Sequence, residues 1–396
     1  MALLFWLSFG ILFYAYLGYG LVMWILVKIR GAHPVPLPYA PEDLPEVTVL
    51  IAAYNEADII QQKIENTLAL DYPKDKLKLL FITDGSTDNT GAIIEQYPDI
   101  QHLFEPERRG KIAAVQRAMP LVTSPITINS DANTFLNAAA ARNLVKHFAD
   151  PTIGAVAGEK LVWSDTKDTA SAAGEGLYWQ YESWLKKKDT ELGTVVGAAG
   201  ELFAIRTDLF EVIPTDTIIE DFFQTLRIAQ KGYRVAYAPD AYAIEQASAD
   251  VSEEIKRKIR ICAGAFQAMW RLRALFNPFK YGMLTFQYVS HRVLRWTLAP
   301  LTLPILLIVN GFLALNSGFY QLLLLGQVLF YLVAYIGYLT RNKPLKIKGF
   351  SVPFYFTMMN VCVYLGFVKY WRGNQSVVWD KAKRAENSKS LNQMGV

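Results

Sequence analysis

The stretch "EVTVLIAAYNE" (Glu46–Glu56) is a β-branched apolar run that stops at a polar turn, and "DIIQQKIENTLAL" (Asp58–Leu70) behind it has apolar residues at helical spacing. The plan repeats. "LKLLFITDGSTDNT" (Leu77–Thr90) reads as a buried strand, a Gly/Ser/Asp turn and a helix start. "GKIAAVQRAM" (Gly110–Met119) reads as helix and "ITINSDAN" (Ile126–Asn133) as the next strand. Alternating strands and helices imply an α/β fold, a mostly parallel sheet with helices on both faces. In such sheets ligands bind in the crevice beyond the carboxyl ends of the strands. The polar clusters Tyr54-Asn55-Glu56, Asp84-Gly85-Ser86 and Asp131-Ala132-Asn133 all fall at such ends.

Outward from this core the chain changes character. It has 396 residues, 52% of them hydrophobic, and a mean hydropathy of +0.16, high for a wholly soluble protein. The opening "MALLFWLSFGILFYAYLGYGLVMWILVKIRG" carries no charge before Lys28 and is long enough to cross a bilayer. It lacks the basic start, short apolar stretch and small-residue cleavage site of a signal peptide, so a retained span is expected. Beyond Thr297 three further apolar segments of about twenty residues follow, at 297–316, 319–340 and 350–368.

The expected organisation is a transmembrane helix over 1–30, a Pro-rich linker over 31–45 and a catalytic domain over 46–250. Amphipathic interface helices over 251–296, about three transmembrane helices over 297–370 and a basic tail over 371–396 complete it. Lys28 and Arg30 place the middle domain on the cytoplasmic side, which makes a multi-pass protein of the plasma (inner) membrane. "RNKPLKIK" (341–348) agrees, whereas the tail "KYWRGNQSVVWDKAKR" (369–384) is basic on the side to which three spans would export it. The net charge of +4 gives no case for nucleic acid, and basic residues near the spans suit anionic lipid head groups of the bilayer. Two distant cysteines, Cys262 and Cys362, build neither a disulfide framework nor a zinc site.

A rim of carboxylates suits an anionic ligand only with a divalent cation between them. Mg²⁺ and Mn²⁺ take oxygen ligands, one or two from protein and the rest from phosphate and water. Asp131 offers a charge and Asn133 an amide oxygen, although both are also ordinary turn formers. "PERRGKIAAVQRAM" (Pro106–Met119) puts Arg108, Arg109 and Lys111 at a helix start, against the dipole, which an anion shared with Lys111 would explain. Glu220 and Asp221 open another helix as dipole partners, and an Asp there can also act as general base.

In order along the chain, "AAYNE", "DGSTDNT", "GK", "SDAN", "GAAGELFAIR" (Gly197–Arg206) and "IED" (Ile219–Asp221) make the sequence resemble the membrane-embedded family 2 glycosyltransferases, the group of cellulose, chitin and hyaluronan synthases. The resemblance covers about Glu46 to Trp270. It implies a GT-A fold, a nucleotide-sugar donor, a Mg²⁺ or Mn²⁺ cofactor, and inversion at the anomeric carbon. Carried over by position, Ala53, Tyr54, Glu56 and Asp84 would line the nucleoside pocket, and Lys111 would approach the diphosphate. Asp131 and Asn133 take the DxD metal position, and Asp221 with Glu220 the catalytic position. Gly200, Arg257 and Arg260 would face a glycan or lipid acceptor.

The chain departs from the family at Asn133, at Ile219 and at "RKIRI" (Arg257–Ile261), where the family's QxxRW tryptophan is missing. "RVLRW" (Arg292–Trp296) is a closer literal match but reads as a basic and aromatic belt at a membrane interface. The aromatics of "GLYWQYESWLKKK" (Gly176–Lys188) suit stacking on sugar or lipid as well as a core-facing stripe. Two function classes compete. One is a transferase feeding a polysaccharide or lipid acceptor, with synthase or export partners. The other is a catalytically inactive sugar-nucleotide-binding subunit, against which the retained Asp131 and Asp221 speak. A solute transporter fits poorly, because few polar groups interrupt the spans.

Overall fold

The structure, a computed structural model, describes residues 1–163, 170–248, 250–341 and 351–373. The chain forms two compact units. One comprises His33–Trp163 and Asp189–Ala249, and the other Met1–Ala32, Ser164–Lys188 and Asp250–Gln375.

The first unit is built on an eight-stranded mixed sheet. Its strands are β1 (Val47–Ala53), β2 (Leu77–Asp84), β3 (Gln101–Glu105), β4 (Ile126–Asp131), β5 (Thr134–Leu136), β6 (Ile153–Trp163), β7 (Leu202–Arg206) and β8 (Arg234–Gln246), in spatial order β3-β2-β1-β4-β7-β6-β8-β5. The half that holds the strands read from sequence, β1, β2 and β4, together with the unforeseen β3, is parallel throughout. The sheet as a whole is less parallel than expected, because β7 runs antiparallel to both β4 and β6 and β5 antiparallel to β8.

Alternation within β1 explains the two-sided core. Val49 and Ile51 face one layer with Ile60, Ile64 and Leu144, while Leu50 faces the other with Leu80, Ile82, Ala114 and Ala118. Each of these residues is nearly or wholly removed from water, as a sheet covered on both faces requires. The helix Ile60–Leu68 covers the first face and Lys111–Ala118 the second. The parallel register brings Ala53, Asp84 and Asp131 to one edge: Ala53 is level with Thr83, and Ala52 with Asp131.

The second unit contains the apolar helices. By length and composition Ala2–Arg30, Gly318–Leu339 and Val352–Trp371 can each cross a membrane. Leu298–Ala314 joins Met283–Trp296 at a 48° bend, and the pair makes a fourth span if the bend lies within it. This helical segment therefore begins well before Thr297. The protein is a membrane protein. Residues 342–350 and 374–396, on which most of the "RNKPLKIK" reading and the basic-tail reading rest, lie outside the described residues.

Helix Val251–Arg271 has the expected amphipathic pattern, and its apolar side packs on Ser351–Trp371. The approach is close: a Cβ on Gly366 would lie 2.5 Å from the Cβ of Cys262. Tyr181 and Trp184 are core-facing, since Trp184 leaves no room for a Cβ on Gly20 and the Tyr181 hydroxyl donates to the Tyr16 carbonyl.

The "RVLRW" segment is not an interface belt. Its arginines turn inward to Glu182, which is 2% exposed. Arg292 Nη1 lies 2.6 Å from Oε1, Arg295 Nη1 3.2 Å from Oε2, and His291 Nε2 3.2 Å from Oε1. Burial alone opposes ionisation of Glu182, but Arg292, His291 and Arg295 outweigh it and hold the carboxyl well below its ordinary range. The belt reading considered lipid head groups as partners and had no means of seeing a carboxylate more than a hundred residues away.

Candidate functional site

Each edge turn is fixed by its neighbour. The Asn55 backbone adopts φ 52°, a left-handed conformation that Asn tolerates, and its side-chain oxygen accepts from Thr87 N at 2.8 Å. Thr90 Oγ1 accepts from Glu56 N at 2.8 Å, and Asp88 accepts from Ala57 N at 3.1 Å. "AAYNE" and "DGSTDNT" are thus one joined structure. Gly85, at φ +70°, is needed twice over, because a Cβ there would fall 2.6 Å from the backbone nitrogen of Arg108. The Arg108 guanidinium in turn lies 3.6 Å above the ring of Tyr54.

Asp84 is buried and its oxygens are engaged. Oδ2 accepts from Arg109 N at 2.9 Å and Gly110 N at 2.6 Å, and Oδ1 from Arg117 Nη2 at 3.0 Å. It braces the loop that starts the Lys111–Ala118 helix. Arg117, unremarked in the sequence reading, is its counter-charge; the Lys111-to-Arg117 spacing of six residues held no motif that would flag it.

Lys111 is the hub of the site. Its Nζ lies 2.6 Å from Asp131 Oδ1 and 2.9 Å from Glu220 Oε1. Burial disfavours its charge, yet Asp131, Glu220 and Asp221 together hold it well above its ordinary range. Gly200 fits between the partners: a Cβ there would stand 3.2 Å from Lys111 Nζ and 3.4 Å from Asp221 Oδ2. The structure therefore brings Lys111, Asp131, Gly200, Glu220 and Asp221 together. Asp84 joins them through the loop it holds.

The carboxylates differ in their settings. Asp221 is pushed up to about 7 by burial and by Glu220 beside it, against the pull of Lys111. Burial also raises Asp131, with Glu201 and Glu220 adding to it and Lys111 opposing. Glu201 is held from behind by buried Lys160, which also pairs with Glu245.

The turn after Asp131 rests on Lys63, which is wholly buried and donates to Ser130 Oγ at 2.8 Å and to the Thr134 carbonyl at 2.7 Å. Burial pulls this lysine down to about 7, with Asp131 opposing. Lys63, Lys160 and Glu201 were missed by sequence reasoning. The signal for Lys63 was a lysine on an apolar helical stripe, too common to single out.

Among the described residues no three His, Cys, Asp or Glu side chains cluster as a complete metal cage. Asp131 ends β4 and Asn133 follows in the turn, and each offers oxygen, the donor type a hard divalent cation takes alongside phosphate and water. Arg257 and Arg260 belong to the other unit, where Arg257 is engaged by Glu254 on its own helix at 2.9 and 3.0 Å.

Carboxylates and one lysine thus gather at the strand ends of a sheet of the GT-A kind. The family model described as Glycosyl transferase family 2 matches residues 48–213 of the chain. It is 27% identical over 249 residues to the poly-beta-1,6-N-acetyl-D-glucosamine synthase of Staphylococcus aureus strain MSSA476, covering 60% of this chain and 58% of the synthase. The match thus spans somewhat more than half of that relative's length. The Bacillus subtilis protein named "Probable glycosyltransferase YdaM" is 25% identical over 385 residues, 88% of this chain and 89% of that one. The fold is that of the mannosyltransferase PcManGT from Pyrobaculum calidifontis, solved with GDP-Man and Mn²⁺, with a TM-score of 0.67 and 24% identity over 94% of this chain and 100% of that chain.

Proposed function

We propose that the protein is an inverting glycosyltransferase that moves a sugar from a UDP-sugar donor to a polysaccharide or lipid-linked acceptor at the cytoplasmic face of the plasma (inner) membrane. The observation that carries the reading is the meeting of Asp221 and Lys111 around Gly200, a proton acceptor and a cation facing one small space. The S. aureus relatives are synthases of an N-acetylglucosamine polymer, which favours a growing glycan as acceptor and synthase or export partners around it.

Asp221 takes the proton from the acceptor hydroxyl as its oxygen attacks the anomeric carbon. The bond from that carbon to the diphosphate breaks on the opposite face, so configuration inverts. A group poised near neutral pH suits this proton transfer. Lys111 meets the charge that grows on the departing diphosphate, an electrostatic contribution aimed at the transition state. Tyr54, Glu56 and Asp84, with Ala53, shape the nucleoside side, and Gly200 the acceptor side. Asp131 and Asn133 would hold Mg²⁺ or Mn²⁺, which when bound supplies positive charge to the diphosphate.

The test is incubation of the full chain in detergent with labelled UDP- and GDP-sugars, with and without Mn²⁺, followed by sizing of products. Sugar transfer that depends on the cation is expected, and a ladder of lengths identifies polymer synthesis. Tight donor binding with no transfer to any acceptor would instead favour a binding subunit.

A further inference from the structure

Lys111 and Glu220 line one side of a half-open cavity whose empty space, open solvent included, is about 440 Å³. Its walls are largely hydrocarbon, with Ile112 and Val115 from one helix, Phe203 and Ile205 from β7, and Phe210 and Ile213 beyond it. Asn129 breaks the pattern. It lies within β4, is 7% exposed, and lines the cavity. Its side-chain amide has no hydrogen-bond partner among the described residues. The other two amides of the lining are engaged: Gln116 Nε2 donates to the Ile213 carbonyl at 2.6 Å, and Gln224 has a partner of its own. The amide is reached from the cavity, so a bound group with its own N–H and carbonyl can pair with it there.

The strand geometry says where such a group would come from. Asn129 and Asp131 are two residues apart on β4, so both project from the same face, roughly 7 Å apart along the strand. Phe203 is the cross-strand partner of Asn129, which sets its ring beside the amide. Glu220 and Gln224, one helical turn apart, line the same cavity from the facing helix. A substituent on a sugar whose diphosphate is held at Asp131 reaches this recess by passing Lys111.

We propose that the cavity receives the acetamido group of the donor, so that the substrate class is a nucleoside-diphosphate 2-acetamido sugar. The inference rests on the donor reading above. An acetamido group brings one N–H and one carbonyl to the Asn129 amide and a methyl to the apolar wall. A hydroxyl at the same carbon leaves the apolar recess unfilled. The combined loss of a methyl contact and a paired amide corresponds to about 100-fold discrimination, since a methylene alone gives 10- to 200-fold and a paired polar group more.

The experiment is calorimetric titration of the full chain in detergent with UDP, UDP-glucose and UDP-N-acetylglucosamine, each with Mn²⁺ and without acceptor. The parent protein is expected to bind UDP-N-acetylglucosamine at least about tenfold tighter than UDP-glucose, and Asn129→Leu to remove that preference with UDP affinity unchanged. Val115→Phe, which fills the recess from another wall, is expected to do the same and serves where Asn129→Leu fails to fold. Equal affinity of the parent for the two sugars, or a preference kept by the folded variants, overturns the proposal while leaving the donor reading intact. If UDP and both sugars fail to bind, the donor reading falls and takes this one with it.

Discussion

The Lys111 ammonium lies 2.6 Å from the Asp131 carboxylate and so sits where a cation bound to Asp131 would exert its charge. Lysine and divalent metal then compete for one carboxylate, and donor binding has to draw Lys111 away toward phosphate. Lys111→Met is expected to tighten Mn²⁺ binding, measured by titration in the absence of donor. The same variant is expected to lower kcat by about 10²- to 10³-fold, the scale of removing one group that stabilises developing charge. Weaker Mn²⁺ binding in Lys111→Met would mean that the lysine supports the metal position rather than contesting it.

Lys63 gives a prediction about stability. Its folded value, about 7, is below the unfolded one of 10.5, so the unfolded chain binds more protons between these limits. Stability therefore rises with pH across that window, and the penalty is fully present below it. Lys63→Met is expected to flatten this rise. The measurement is the difference between parent and variant in apparent Tm from pH 7 to 9.5, in detergent. Parallel curves would show that Lys63 keeps its charge in the folded state. Ser130 and the Thr134 carbonyl lose their donor in the variant, so a lower Tm above pH 9 is also expected.

The parts of this arrangement visible in sequence were those with local signatures. Alternation and polar turns placed β1, β2 and β4 and the edge they share, because a buried parallel strand announces itself by a short apolar run. Gly200, Glu220 and Asp221 came with ordered motifs. The antiparallel insertion of β7 between β4 and β6 was not visible, since strand order is set by long-range packing rather than by any one segment. The same holds for Arg117 behind Asp84, Lys63 beneath the Asp131 turn, and Glu182 among three cations. A charge facing inward looks like a charge facing water until its partner, often far along the chain, is in place.

Glu182 faces Arg292, Arg295 and His291 in the helical unit. Glu182→Gln would take the carboxylate from buried Arg295 and from half-buried Arg292, a loss on the order of 3–5 kcal/mol. Recovery of monodisperse protein from membranes, followed by size-exclusion chromatography, should fall sharply for Glu182→Gln and far less for Lys187→Gln on the same helix. Equal recovery of the two would show that water or lipid replaces the carboxylate.

The pH profile of transfer bears on Asp221. Its raised value, about 7, means that the ionised, proton-accepting form is lost as pH falls. The rate at saturating substrate is expected to be flat above pH 8 and to fall about tenfold per unit below pH 6. A profile flat down to pH 5 would assign the base to a group of ordinary carboxylate acidity.

The most direct test of the central claim is transfer of a labelled sugar by Asp221→Asn, with donor affinity measured on the same preparation. The account predicts donor affinity within about threefold of the parent, because Asp221 has its role in the transition state, and transfer reduced at least about 10³-fold. Transfer at the parent rate by a variant that binds donor normally would contradict it.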